Sequence, residues 1–221
     1  MIITISYPLT MKTPLYPNTP SPIIRSLRSV EKGDSANTGT ITFSTHSGTH
    51  IDAPFHFCHE GKTVAGCLAY DSTFFPAYCI GVSKPDGGEI TGTDLGAGIA
   101  QMRDAEALLI RTGWETVRSQ EPARYRQDHP WVSPAVPRFL REHCPRLRLF
   151  GIDQISVSSV LHRGEGHSCH REFLCCKRPV LILEDLNLSD PRITGPIRLH
   201  LYPFMIDDTD GTPVTAIVER E

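Results

Sequence analysis

The stretch His46-Ser47-Gly48-Thr49-His50-Ile51-Asp52-Ala53-Pro54-Phe55-His56 sets the reading of this chain. Three histidines and one aspartate fall at positions 46, 50, 52 and 56, all of one parity. In extended backbone successive side chains point to opposite faces, so these four share a face. The residues between them, Ser47, Thr49, Ile51, Ala53 and Phe55, are small or apolar and point the other way. Imidazole nitrogens and carboxylate oxygens are ligands of divalent zinc, manganese or iron. Gly48 and Pro54 allow the strand to bend so that the donors converge. A half-buried strand with a surface histidine accounts for one such residue, but not for four on one face.

A chain of 221 residues buries a sizeable core and is most simply one domain, residues 1–221. With 39% hydrophobic and 21% charged residues it has the composition of an ordinary globular protein. The net charge of -3 gives no electrostatic footprint for a nucleic-acid partner. Arg138, Arg141, Arg146 and Arg148 cluster, but Glu142 lies among them, which reads as a solvated helix face. No apolar run reaches membrane-spanning length. The opening Met-Ile-Ile-Thr-Ile-Ser lacks a charged region and a long apolar run, so a secretory signal is not expected. The seven cysteines are odd in number and form no Cys-x-x-Cys, which fits reduced thiols and a cytoplasmic location. Cys175-Cys176 and Cys169 are expected to pack in the core.

Residues 2–6 alternate as a strand. Five prolines between 8 and 22 give an extended, irregular arm, of the kind that lies on its own surface or a partner's. Residues 23–30 and 39–44 are strand candidates, the second leading into the histidine motif. Residues 57–71 read as a loop with a short helical turn and 78–83 as a strand. Residues 84–88 form a turn, and Thr91 or Thr93 caps a helix to about Met102. Residues 105–112 are a buried strand ended by Gly113. Residues 115–132 are polar and aperiodic, and read as a loop covering the site. Ser133-Pro134 starts a helix to about His143. Residues 147–152 and 180–186 are strands on either side of a short helix over 167–176, and 197–205 and 214–219 are the last strands. The pattern is an α/β fold, a mixed sheet or flattened barrel with helices outside.

His-x-Gly-Thr-His-x-Asp-x-Pro-x-His resembles the signature of the metal-dependent cyclase-like hydrolases, a family that includes bacterial kynurenine formamidase (arylformamidase) and isatin hydrolase. The order of the remaining segments supports this. Ile5-Ser6-Tyr7-Pro8-Leu9 with Pro14-Leu15-Tyr16-Pro17 resembles the family's opening, and Leu109-Ile110-Arg111-Thr112-Gly113-Trp114 its central strand and turn. Phe150-Gly151-Ile152-Asp153 with Ser156 resembles the next strand, and His170 with Leu181-Ile182-Leu183-Glu184-Asp185-Leu186 the closing part. The resemblance implies the family's swivelling β/β/α arrangement.

It further implies that His46, His50 and Asp52 hold a divalent ion, zinc or manganese, with one or two ions per chain. Asp52 is placed to bridge to a second ion held by His170 and Glu184. The interval from His170 to Glu184 is longer than the family pattern, so His167 competes with His170 for that role. His56 resembles the family's general acid/base, with a fourth ligand as its alternative role. The implied activity is cleavage of a small amide by a metal-activated water, most simply an aryl formamide such as N-formylkynurenine, with cyclic amides such as isatin as the alternative. An iron(II) oxygenase using His50, Asp52 and a distant histidine is a second class, which leaves His46 and His56 unexplained. A metal-binding protein without catalysis is a third. The resemblance and the proline-rich arm together imply a homodimer or larger homo-oligomer. His59, His129, His143, His162 and His200 read as structural or surface groups, and Glu172 as solvated. Trp114, Phe57 and Trp131 are candidates for an apolar slot, although packing is the commoner fate of tryptophan.

Overall fold

The histidine motif is extended only at its centre. The computed structural model describes residues 1–220 and begins with β1 (Ile2–Thr4), after which the proline-rich arm carries no regular element until β2 (Ile23–Arg28). β2 pairs with β3 (Thr38–Thr42) as a separate antiparallel ribbon. β4 (His50–Asp52) is the heart of the motif, and Pro54–His56 turn at once into a single 3-10 turn. His50 and Asp52 therefore share a strand face as expected. His46 and His56 reach them through turns, not by strand parity. Gly48 supplies the first of these turns at φ 64°, a left-handed conformation that residues with a Cβ avoid.

α1 (Val64–Leu68) leads to β5 (Thr73–Gly81), β6 (Glu89–Ile90), α2 (Gly92–Ile99) and β7 (Ala107–Arg111). Thr91 closes the capping box of α2 with Asp94. The segment expected to be a covering loop is instead α3 (Glu115–Gln120), α4 (Pro122–Gln127) and β8 (Trp131–Val132). α5 (Val136–His143) starts two residues after Pro134. β9 (Leu149–Ile152), α6 (Arg163–Leu174), β10 (Leu181–Glu184), β11 (Ile197–Pro203) and β12 (Gly211–Glu219) complete the order. α6 begins one turn before the expected start at His167.

The main sheet runs β1-β12-β11-β5-β7-β9-β10-β4, and β4 also pairs with β12. Seven strands thus close into a flattened mixed barrel, with β1 attached beside β12. β5, β7, β9 and β10 are mutually parallel, and the helical crossovers between them lie outside. These strands are buried on both faces, which is why 107–110 and 181–183 read as continuous apolar runs. Leu109, Leu183 and Ile51 point into the barrel, whereas Leu108, Ile110 and Ile182 pack against Leu140, Phe173 and Leu95 of the outer helices. By the same alternation Ile51 faces inward, and His50, Asp52 and Glu184 face outward toward α6. Among the described residues no helix is long and apolar enough to cross a membrane.

The cysteines depart from expectation. Cys58 and Cys175 form a disulfide, and Cys175 is exposed at the C-terminal end of α6. The bond links residues 117 positions apart, a long loop whose closure restricts the unfolded chain. It ties the turn carrying His56 to the helix carrying His170, and the cysteine argument for a reducing compartment does not hold for this pair. Cys176 is half-buried, while Cys169 packs in the core as expected.

Candidate metal centre

Two strand neighbours build the site around β4. β10 pairs antiparallel with Glu184 opposite His50, and β12 pairs with Gly211 opposite Asp52. α6 then covers this outer face and brings His170. His50, Asp52, His170 and Glu184 are all buried, whereas His46 and His56 are partly exposed at the mouth. All six line one cavity of about 270 Å³.

Backbone acceptors set the deep imidazoles. His50 Nδ1 donates to Gly48 O at 2.8 Å, and His170 Nδ1 donates to Gly166 O at 2.8 Å. Each therefore turns Nε2 toward the carboxylates. His50 Nε2 stands 3.4 Å from Asp52 Oδ1 and 3.4 Å from Glu184 Oε2. His170 Nε2 stands 3.7 Å from Asp52 Oδ2 and 3.7 Å from Glu184 Oε1. These separations are long for hydrogen bonds. They approach the ligand-to-ligand edge of a tetrahedral ion, about 3.3 Å when each bond is about 2.0–2.1 Å. Glu184 Oε1 is held in place by the Val157 amide at 2.8 Å and the Ser156 hydroxyl at 3.1 Å.

Asp52 Oδ2 is buried without any hydrogen-bond partner. An orphaned carboxylate oxygen among imidazole nitrogens fits a cation site, since unpaired buried charge is costly. Asp52 is also the one residue shared by the two ligand triads, His46–Asp52–His56 and His50–Asp52–Glu184. Burial alone would raise the pKa of both Asp52 and Glu184, but the neighbouring histidines outweigh it and lower both. Burial lowers the His46 pKa, yet Asp52 and Asp210 together raise it to about 10. A field this negative accepts a divalent ion in place of protons.

The sequence reading missed Asp210. Its Oδ2 lies 2.9 Å from His46 Nε2 and 2.9 Å from His56 Nδ1. The signal available was Asp210-Gly211 at the head of a strand, but nothing local says that this strand pairs with β4.

His167 sits on the exposed rim one helical turn before His170, and only His170 approaches both carboxylates. Phe57 stacks on His170 with centroids 4.8 Å apart and, with Tyr16 and Ile155, gives the cavity an apolar wall. Trp114 packs with Tyr125 and Ile155, and Trp131 stacks on His162, so neither tryptophan lines the cavity. His59 is exposed, and His129 is buried on Pro130 O. Glu172 is not free in solvent but pairs with Arg138 and Arg141, while Arg146 and Arg148 pair with Glu106. Each of these four arginines thereby has a carboxylate partner.

A second polar cluster supports the site from behind. Arg118 of α3 makes a two-point ion pair with Asp185 at 2.6 and 2.7 Å, and Tyr125 of α4 donates to the same carboxylate at 2.6 Å. Asp185 follows Glu184, and its carbonyl accepts from Thr49, which precedes His50, at 2.6 Å. One buried aspartate therefore joins the two strands that carry the deep ligand set.

Residues 3–159 match the Cyclase family model, described as putative cyclase, and the chain belongs to this family. It is 35% identical over 219 residues to the kynurenine formamidase of Geobacillus thermodenitrificans, covering 99% of this chain and 97% of that protein. Identity to the kynurenine formamidase of Bacillus cereus ATCC 14579 is 33% over 218 residues, covering 98% and 96%. The fold is that of isatin hydrolase A from Labrenzia aggregata bound to benzyl benzoate, with a TM-score of 0.80 at 21% identity over 99% of this chain and 93% of that one.

Proposed function

We propose that this hydrolase cleaves an aryl formamide, with N-formylkynurenine as its substrate. The observation that carries this reading is that His50 and His170 each stand between the carboxylates of Asp52 and Glu184, with Asp52 Oδ2 left unpartnered, beneath an apolar wall of Tyr16, Phe57 and Ile155. Full-length similarity to kynurenine formamidases supports the choice of substrate.

His46, His50 and Asp52 would hold one ion, zinc or manganese, and Asp52, His170 and Glu184 would hold a second. A bound divalent ion supplies a polarised carbonyl and an acidified water. The chain's own residues do the rest. The apolar wall seats the aryl ring and excludes water from that side. Ser44, Ser156 and Ser158 also line the cavity. His56, at the mouth, carries the proton to the leaving nitrogen. Cleavage adds water across the C–N bond, giving formate and the free aryl amine.

Comparing kcat/KM for N-formylkynurenine and isatin on zinc-loaded protein tests the substrate. The proposal expects the formamide to be favoured by about 10-fold or more, in line with the full-length similarity to kynurenine formamidases. Equal or reversed preference would move the substrate to cyclic amides.

The same reading makes the protein a homodimer. β2 and β3 are exposed along their whole length and display Ile23, Ile24, Leu27 and Ile41. A lone two-stranded ribbon is marginal in water, so a second copy covering it supplies what it lacks. Light scattering should give twice the chain mass of 24.6 kDa, and a monomer at micromolar concentration contradicts this.

A further inference from the structure

We infer that Asp210 is a positioning residue that sets the tautomers of both His46 and His56, so that one carboxylate orients a metal ligand and the proton carrier together. The roles of the two histidines are those of the reading above.

The geometry is specific. Asp210 Oδ2 is 2.9 Å from His46 Nε2 and 2.9 Å from His56 Nδ1, and Thr45 Oγ1 donates to Oδ1 at 3.0 Å. An ionised carboxylate only accepts, so both ring nitrogens donate to it. His56 is then the Nδ1–H tautomer, and its Nε2 keeps a lone pair that takes or returns a proton. His46 donates through Nε2 to Asp210 and, by the same rule, through Nδ1 to Asp52 Oδ1 at 2.9 Å, so a metal on Nδ1 would replace that second proton and leave the Nε2–H tautomer. A carboxylate behind a metal-ligating imidazole fixes its tautomer and raises its basicity.

The fold holds Asp210 at this point. Its carbonyl accepts from the Ala53 amide at 2.9 Å, and Gly211 pairs with Asp52 in the sheet. A Cβ on Gly211 would lie 2.7 Å from His46 Cε1, so only glycine lets that ring lie against β12. The His46 and His56 rings stand 4.0 Å apart by centroid, close enough to share one oxygen.

The side chain of Asp210 is 32% exposed, so Asp210→Ala is expected to fold. The direct readout is the ¹⁵N spectrum of the His56 ring, in zinc-loaded and in metal-stripped protein. Wild type should show a protonated Nδ1, and Asp210→Ala should show a mixture or the other tautomer. Zinc affinity should fall by about 10–100-fold, and kcat at saturating zinc by a similar factor. In a His56→Ala background, Asp210→Ala should reduce kcat by less than about twofold more, because its effect on kcat passes through His56. Asp210→Asn, which keeps the shape and loses the charge, should fall between Ala and wild type. An unchanged His56 spectrum in Asp210→Ala, or a full additive loss in the double variant, overturns the inference. Unchanged hydrolysis in His56→Ala alone would sink the proton-transfer role of His56, whereas the spectrum decides the tautomer on its own.

Discussion

Asp52→Asn is expected to empty the metal centre and to lower kcat/KM for amide hydrolysis by on the order of 10³-fold, about 4 kcal/mol of transition-state stabilisation. The substitution is isosteric and leaves β4 paired with β10 and β12. It removes the one charge that belongs to both triads. Asp52 is 1% exposed, and its Oδ1 already receives His46 Nδ1 at 2.9 Å while Oδ2 has no partner. An asparagine must turn its NH2 toward one of these two positions. One choice faces a donor against an imidazole N–H, and the other aims it at the cation. Metal content after dialysis, read by mass spectrometry together with steady-state kinetics, checks this. Full retention of metal by Asp52→Asn would mean that the ion is held elsewhere.

Arg118→Ala should destabilise the protein by about 3–5 kcal/mol, the usual cost of removing one partner of a buried ion pair. For a chain of this size that lowers Tm by roughly 10–15 °C. Asp185 is 1% exposed, and without Arg118 only Tyr125 still donates to its carboxylate. The effect should also reach the site, since Asp185 neighbours Glu184 and its carbonyl is held by Thr49 beside His50. Tyr125→Phe removes one hydrogen bond and should cost only about 1–2 kcal/mol. Thermal denaturation of both variants decides the matter. Equal, small losses would show that the charge of Arg118 contributes little.

Much of the centre is legible in the sequence because β4 is a strand. His50 and Asp52 lie two residues apart on it, and their partner Glu184 ends a run of apolar residues long enough to be a buried strand. His46 and His56 are legible as residue types, but the parity argument places them by the wrong geometry, since turns at Gly48 and Pro54 do that work. Asp210 was hidden because it lies 164 residues from His46 in an acidic segment that reads as a turn. Only the pairing of β12 with β4 gives it meaning.

α3 and α4 were hidden for a different reason. A buried helix normally announces itself by an apolar stripe. These two turn Arg118 and Tyr125 inward onto a carboxylate, and the apolar cluster they meet, with Trp114 and Ile155, is too small to give a stripe. The Cys58–Cys175 bond is also beyond sequence reasoning, because seven cysteines without a spacing motif do not specify a pair.

The most direct test of the metal-dependent amide hydrolysis argued above is turnover of N-formylkynurenine by metal-stripped protein before and after zinc or manganese is added. Turnover should be absent from the stripped protein, appear as metal is added and saturate at one or two ions per chain. Full turnover by protein shown to be metal-free would contradict the account.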